Sequence, residues 1–144
     1  MRFVDLADGG RRLAPLVAAA LTPDAVVVSA GDGGLVTGRA VAQALGIAVV
    51  PLVTTRSDAG VRVELPLDVA GRRVVVVDDG VESGTAARAV AAALRTAGAS
   101  SLVLAVPVCP QEAETDLRTR YDEVVALVRP LERRSLQWHY DTFA

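Results

Sequence analysis

The sequence contains no lysine, so all 15 of its basic side chains are arginines. A Schiff-base lysine and a lysine phosphate clamp are thereby excluded, and every fixed cation must be a guanidinium. Cys109 is the single cysteine. It cannot form an internal disulfide, and a reducing cytoplasm is the expected compartment. His139 is the single histidine, which removes histidine triads and histidine metal clusters from consideration. Aromatic residues make up only 3% of a chain that is 51% hydrophobic, so the core must be aliphatic. No apolar run approaches the roughly 20 residues needed to span a bilayer. The opening residues carry no secretory pattern, and no membrane partner is expected. With a net charge of -2 and acids interspersed among the arginines, no basic face announces nucleic acid.

What is present is organised around residues 74–85. Four consecutive valines, 74–77, are too β-branched for a comfortable helix and read as a strand buried on both faces. Asp78 and Asp79 follow, and paired carboxylates repel each other unless water, a cation or ligand hydroxyls meet them. They are therefore expected to face a site. Ser83, Gly84 and Thr85 open an alanine-rich run to Ala97, which places hydroxyls and free amides at a helix N-terminus, where anions bind. The plainer alternative is an ordinary turn and helix cap. The valine run, a third acid at Glu82 and the helix start together favour a site.

Around this centre, apolar strands alternate with helical patterns. A turn at 8–10 precedes a helix starting near Arg12, with Pro15 in its first turn. A strand over 25–29 runs into a glycine-rich loop, Ala30, Gly31, Asp32, Gly33 and Gly34, then a helix from about 35 to 45 that closes at Gly46. Residues 47–53 form a strand and 61–66 a short alternating one, giving a small hairpin. A helix over 83–97 closes at Gly98. A strand at 101–106, a helix from about 111 to 120 and a strand at 122–128 complete the order. The expectation is one α/β domain, 1–144, with a doubly wound, mainly parallel five-stranded sheet, a small hairpin and a C-terminal aromatic tail. The glycine loop fails as a dinucleotide fingerprint, because Val36 stands where the third glycine belongs. It fails as a P-loop because Arg39 and Ala40 replace the lysine and the hydroxyl.

The run Asp78, Asp79, Gly80, Val81, Glu82, Ser83, Gly84 resembles the 5-phosphoribosyl 1-pyrophosphate (PRPP) signature of type I phosphoribosyltransferases. Looser similarity to a short subgroup of that family runs from Phe3 and Gly9 or Gly10, through 105–108 and 122–124, to Trp138, His139, Tyr140, Asp141, Thr142 and Phe143. The resemblance implies that Asp78, Asp79 and Glu82 are the catalytic acids. Asp78 and Asp79 would hold the ribose and magnesium, directly or through water. Gly80, Val81, Ser83, Gly84, Thr85 and Ala86 would bind the 5′-phosphate. Ala30 to Gly34 and Arg56 would meet the pyrophosphate. The implied activity is magnesium-dependent transfer of phosphoribosyl from PRPP to a nucleobase-like acceptor, by a protein that, like its family, dimerises with its own kind. The alternative is a non-catalytic PRPP or nucleotide sensor.

Several departures favour the sensor. Ala86 stands in place of a second threonine, Asp32 stands where related proteins often carry a basic residue, and there is no lysine, whereas Ser83 in place of the first threonine keeps the hydroxyl. The flexible loop following Thr54 is also short. The aromatic tail has two readings: packing onto the domain or a second subunit, and a hood over the base with Trp138 or Tyr140 stacking on it. Cys109 reads as a small buried apolar residue.

Overall fold

The computed structural model describes residues 1–144. In chain order its elements are α1 (Leu6–Ala20), β1 (Val26–Ala30), α2 (Gly31–Leu45), β2 (Val50–Ser57), β3 (Gly60–Glu64), β4 (Arg73–Val77), α3 (Thr85–Thr96), β5 (Ser101–Val108), α4 (Gln111–Leu117) and β6 (Glu123–Val128), with a 3-10 turn at Leu136–His139. The valine run forms β4, with β1 and β5 parallel on either side of it, in a sheet ordered β3-β2-β1-β4-β5-β6. The α/β doubly wound expectation holds, with one difference in strand count. The hairpin is no separate appendage: β3 pairs antiparallel with β2 from Ser57↔Gly60 to Val53↔Glu64 and becomes a sixth strand.

Side chains alternate across the strands, and the layers follow. Val75 and Val77 pack with Leu13 and Val17 of α1 and Val41 of α2 on one face. Val74 and Val76 pack with Val90 and Leu94 of α3 and Leu117 of α4 on the other. The chain leaves β1 in one direction and β4 in the other, so the crevice between their carboxyl ends is the topological switch point, where ligands bind in such sheets.

Three boundaries correct the sequence reading. The first helix begins at Leu6, and Asp8, Gly9 and Gly10 lie inside it rather than in a turn. The Asp5 side chain accepts from the Asp8 amide at 2.7 Å while the Asp8 carboxylate accepts from the Val4 amide at 3.0 Å, a reciprocal cap that starts the helix early. A Cβ on Gly10 would lie 2.5 Å from the Thr37 carbonyl oxygen, so this glycine serves close packing of α1 on α2. Pro15 consequently sits mid-helix, on the exposed side, where the carbonyl it leaves unbonded can meet water. Second, there is no glycine loop after β1, because α2 starts at Gly31 itself. Third, the strand expected at 47–53 runs from Val50 to Ser57.

The two ends of the chain meet. The Phe3 amide donates to the His139 carbonyl and the Asp141 amide to the Phe3 carbonyl, both at 2.8 Å. Phe3 and Tyr140 are buried together with ring centroids 5.4 Å apart. No helix is long and apolar enough to cross a membrane.

Candidate functional site

Two adjoining clefts open at the switch point. One, of about 310 Å³, is walled by Arg56, Asp78, Asp79, the loop from Gly80 to Ala87, and Leu136. The other, of about 360 Å³, is walled by Ala30, Gly31, Asp32, Gly33, Thr54 and Arg56, and shares Asp78, Asp79 and Ala86 with the first. Of the acid, 5′-phosphate and pyrophosphate residues named from the sequence, only Gly34 lies behind the walls.

The carboxylate pair lies where the two clefts meet. β4 ends at Val77, and Asp78 Oδ1 turns back to accept from the Asp79 amide at 2.8 Å. Neither carboxylate is in an ion pair with an arginine. Burial pushes the Asp78 carboxyl well above the usual range, and the charge of Asp79 pushes it further. Asp79 is raised as well, again chiefly by burial. Such a pair is poised to take up a cation or hydroxyl donors, because either one relieves both causes.

The glycines of α2 make room for this pair. A Cβ on Gly33 would collide with the Asp79 carboxylate, and one on Gly34 would lie 3.0 Å from Asp78 Oδ1. The first turn of α2, the positive end of a helix dipole, therefore lies directly against two acids. Asp32 is exposed in that same turn and adds a third carboxylate to the wall. Arg56, exposed on β2, is the one guanidinium lining either cleft. Its charge acts to lower the Asp78 pKa, against the larger effect of burial.

The opposite wall is the β4–α3 loop. Gly80 has φ 149°, and a Cβ there would lie 2.5 Å from Leu136 Cδ2, so the loop passes beneath the tail only as glycine. Gly84 has φ 88° and leads into Thr85, the first residue of α3. The hydroxyls of Ser83 and Thr85 lie 3.1 Å apart. Ala86, at the junction of the clefts, offers no hydroxyl. Glu82 is exposed, and its Oε1 accepts from the Leu136 amide at 2.7 Å, so the third acid is fastened to the tail.

Thr54, Leu136 and Arg88 escaped the sequence reading, and Tyr140 enters in a different role from the base-stacking one expected of it. Thr54 and Leu136 line the clefts. The Tyr140 hydroxyl donates to the Asp79 carbonyl at 2.5 Å, and burial raises its pKa. Arg88 donates to the Ser83 carbonyl and the Thr85 hydroxyl from behind the loop. Only Arg88 left a local signal: it follows Thr85 by three positions, so the two share a helix face.

The tail packs on the fold and reaches the clefts through Leu136 alone. Trp138 lines neither cleft and carries Arg134 over its ring at 4.5 Å. His139 is 2% exposed, with no hydrogen-bond partner on either ring nitrogen. Cys109 is buried, and burial pushes its thiol up to about 12, which keeps it unreactive.

Comparison with known proteins places this geometry. The phosphoribosyl transferase domain family matches residues 6–137. A Mycobacterium tuberculosis protein described as a phosphoribosyl transferase is 41% identical over 69 residues, which is 48% of this chain and 15% of that protein. The chain thus spans a small part of that curated relative. A solved Thermus thermophilus structure superposes with a TM-score of 0.84 at 25% identity, over 100% of this chain and 92% of the other. A hypoxanthine-guanine phosphoribosyltransferase from Bacillus anthracis shares the fold, with a TM-score of 0.63 at 17% identity over 88% of this chain and 78% of its own.

Proposed function

The chain belongs to the phosphoribosyl transferase family, and from that premise we propose that it transfers the phosphoribosyl group of PRPP to a nitrogen of a base, with magnesium as cofactor. One observation carries this reading. The hydroxyl-bearing loop and the carboxylate pair, half-buried Asp78 and buried Asp79, converge on one cleft system at the switch point of the sheet.

In the reaction, the bond from ribose C1 to the pyrophosphate oxygen breaks and its electron pair leaves with pyrophosphate. The acceptor nitrogen's lone pair forms the new C1–N bond, and its proton passes to a base. Glu82 stands at the cleft rim to take that proton, and in doing so it must release or share the Leu136 amide. The hydroxyls of Ser83 and Thr85, with the amides at the start of α3, hold the 5′-phosphate. Asp78 and Asp79 accept from the ribose hydroxyls.

The same two acids suit magnesium. They offer hard oxygen donors with no arginine partner, and magnesium is commonly held by one or two carboxylates plus substrate phosphates. Bound there, the ion would neutralise the charge that develops on the leaving group. Arg56 is the protein's own cation on that wall.

A second reading, a PRPP or nucleotide sensor without turnover, has specific observations in its favour. Asp32 stands on the pyrophosphate wall, Ala86 lacks a hydroxyl, and Glu82 is fastened to the tail. Calorimetric titration with PRPP, with and without magnesium, beside ribose 5-phosphate and pyrophosphate, tests both. Magnesium-dependent PRPP binding followed by base-dependent pyrophosphate release supports transfer. Binding of ribose 5-phosphate with no affinity for pyrophosphate supports the sensor, and no binding of any of the three sinks both readings.

A further inference from the structure

A phosphate dianion accepts hydrogen bonds and donates none, so a hydroxyl that binds it must turn its single proton toward it. In the β4–α3 loop each hydroxyl has an N–H donor behind it. The Thr85 amide lies 3.4 Å from Ser83 Oγ, and Arg88 Nη2 donates to Thr85 Oγ1 at 3.3 Å. Ser83 Oγ and Thr85 Oγ1 also share a hydrogen bond at 3.1 Å, so with an acceptor position of each oxygen occupied from behind, the proton not spent between them is free to turn into the cleft, and a bound phosphate can draw the other out of that mutual contact.

The same guanidinium orients the backbone. Arg88 Nη1 donates to the Ser83 carbonyl at 3.2 Å. Across a trans peptide the following N–H points the opposite way, so the Gly84 amide faces away from Arg88. Arg88 lines a separate depression on the outer side of the loop, with Glu82, Ser83, Glu112, Asp116 and Arg133, and no part of it lines the cleft. Away from Arg88 therefore means toward the cleft, where Gly84 forms part of the wall. Asp116 holds the guanidinium in place, accepting from Nη1 at 3.2 Å, and is itself flanked by Arg120 at 3.5 Å.

We propose that Arg88 is a positioning residue for the 5′-phosphate of a ribosyl phosphate, orienting the Thr85 hydroxyl and the Ser83–Gly84 peptide toward it and placing a fixed positive charge behind the loop. The proposal rests on the reading of the loop given above. It also accounts for Ala86: with one hydroxyl fewer available, the two that remain must be aimed.

The test is titration of ribose 5-phosphate and of pyrophosphate into the wild type, Arg88→Ala, Arg88→Lys, Thr85→Ala and the Arg88→Ala/Thr85→Ala double variant. Arg88→Ala is expected to weaken ribose 5-phosphate binding about tenfold while pyrophosphate affinity stays within about twofold, the loss belonging to charge-assisted hydrogen bonds on one ligand only. Arg88→Lys, which keeps the charge without the planar fork, is expected to recover part of the loss. In the Thr85→Ala background the effect of Arg88→Ala is expected to shrink, because the two act through one hydroxyl. A merely structural role would weaken both ligands alike and add independently to Thr85→Ala, and either result overturns the proposal. Wild-type affinity retained in Arg88→Ala overturns it alone. A wild type that binds no ribose 5-phosphate overturns it together with the reading of the loop.

Discussion

The β4–α3 loop and the first turn of α2 face one system of two adjoining clefts from the ends of strands two apart in the chain's order of parallel elements, and both are helix N-termini with a glycine at the start, Gly84 just before α3 and Gly31 as the first residue of α2. They differ in charge. The loop presents two hydroxyls backed by Arg88, whereas the α2 turn presents Asp32 and lies against Asp78 and Asp79. A helix N-terminus alone favours an anion. The difference shows how side chains redirect that tendency: on the proposed reading the loop offers a phosphate two hydroxyls and helix-start amides, while the α2 wall would need a cation before a pyrophosphate could approach.

The sharpest way to break this comparison is to neutralise the acids that set the α2 wall apart. Asp78→Asn with Asp79→Asn is expected to lower magnesium-dependent PRPP affinity by at least about a hundredfold, read by calorimetry, since the proposed metal ligands and the proposed acceptors for the ribose hydroxyls go together. Ribose 5-phosphate, held largely by the other wall, should lose less. The unliganded fold should respond in the opposite direction. The folded pKa values of both acids are raised, so their ionisation opposes folding at neutral pH. Neutral asparagines are expected to raise the apparent melting temperature by several degrees, on the order of 1 kcal/mol for a domain of this size. Unchanged PRPP binding would sink the assignment of the pair.

A smaller effect should come from converting one wall toward the other. Asp32→Arg replaces a repulsive carboxylate by a guanidinium in the first turn of α2, on the wall shared with Arg56. Pyrophosphate affinity without magnesium is expected to rise about tenfold, with ribose 5-phosphate affinity unchanged. No change for pyrophosphate would place that ligand elsewhere.

How much of this was legible in the sequence follows from how local each signal is. The valines of β4 announce a strand buried on both faces, and the acids, glycine and hydroxyls after it carry their chemistry within eight residues. Gly9 and Gly10 misled, because a glycine pair reads as a turn when nothing local says that a second helix and Tyr140 press against it. The glycines after β1 misled for the same reason: their purpose is room for the carboxylates of β4's end. The pairings of Glu82 with Leu136 and of Asp79 with Tyr140 join positions 54 and 61 residues apart, and no periodicity records such contacts.

The smallest effect concerns the tail, which covers the loop wall through Leu136 and leaves the α2 wall open. His139 sits in the clasp between the chain ends, buried and without a partner for either nitrogen. Burial lowers its pKa below 6.5, and the nearby charges of Arg134, the terminal amine and Arg2 lower it further. The unfolded chain therefore binds the proton more readily, so the stability that neutral His139 contributes is present above about pH 6.5 and is lost as the pH falls below it. Asp78 and Asp79 act in the opposite sense, because carboxyls with raised folded pKa values bind protons more readily in the folded state and gain stability as the pH falls. A melting curve of the wild type alone mixes the two. Comparing wild type with His139→Leu between pH 7 and pH 5 separates them. The leucine variant should lose the acid-side destabilisation, a difference of roughly 1 kcal/mol or a few degrees, and should gain slightly at neutral pH, where two unsatisfied nitrogens have been removed. Equal pH dependence in the two proteins would mean that the clasp opens without help from the imidazole.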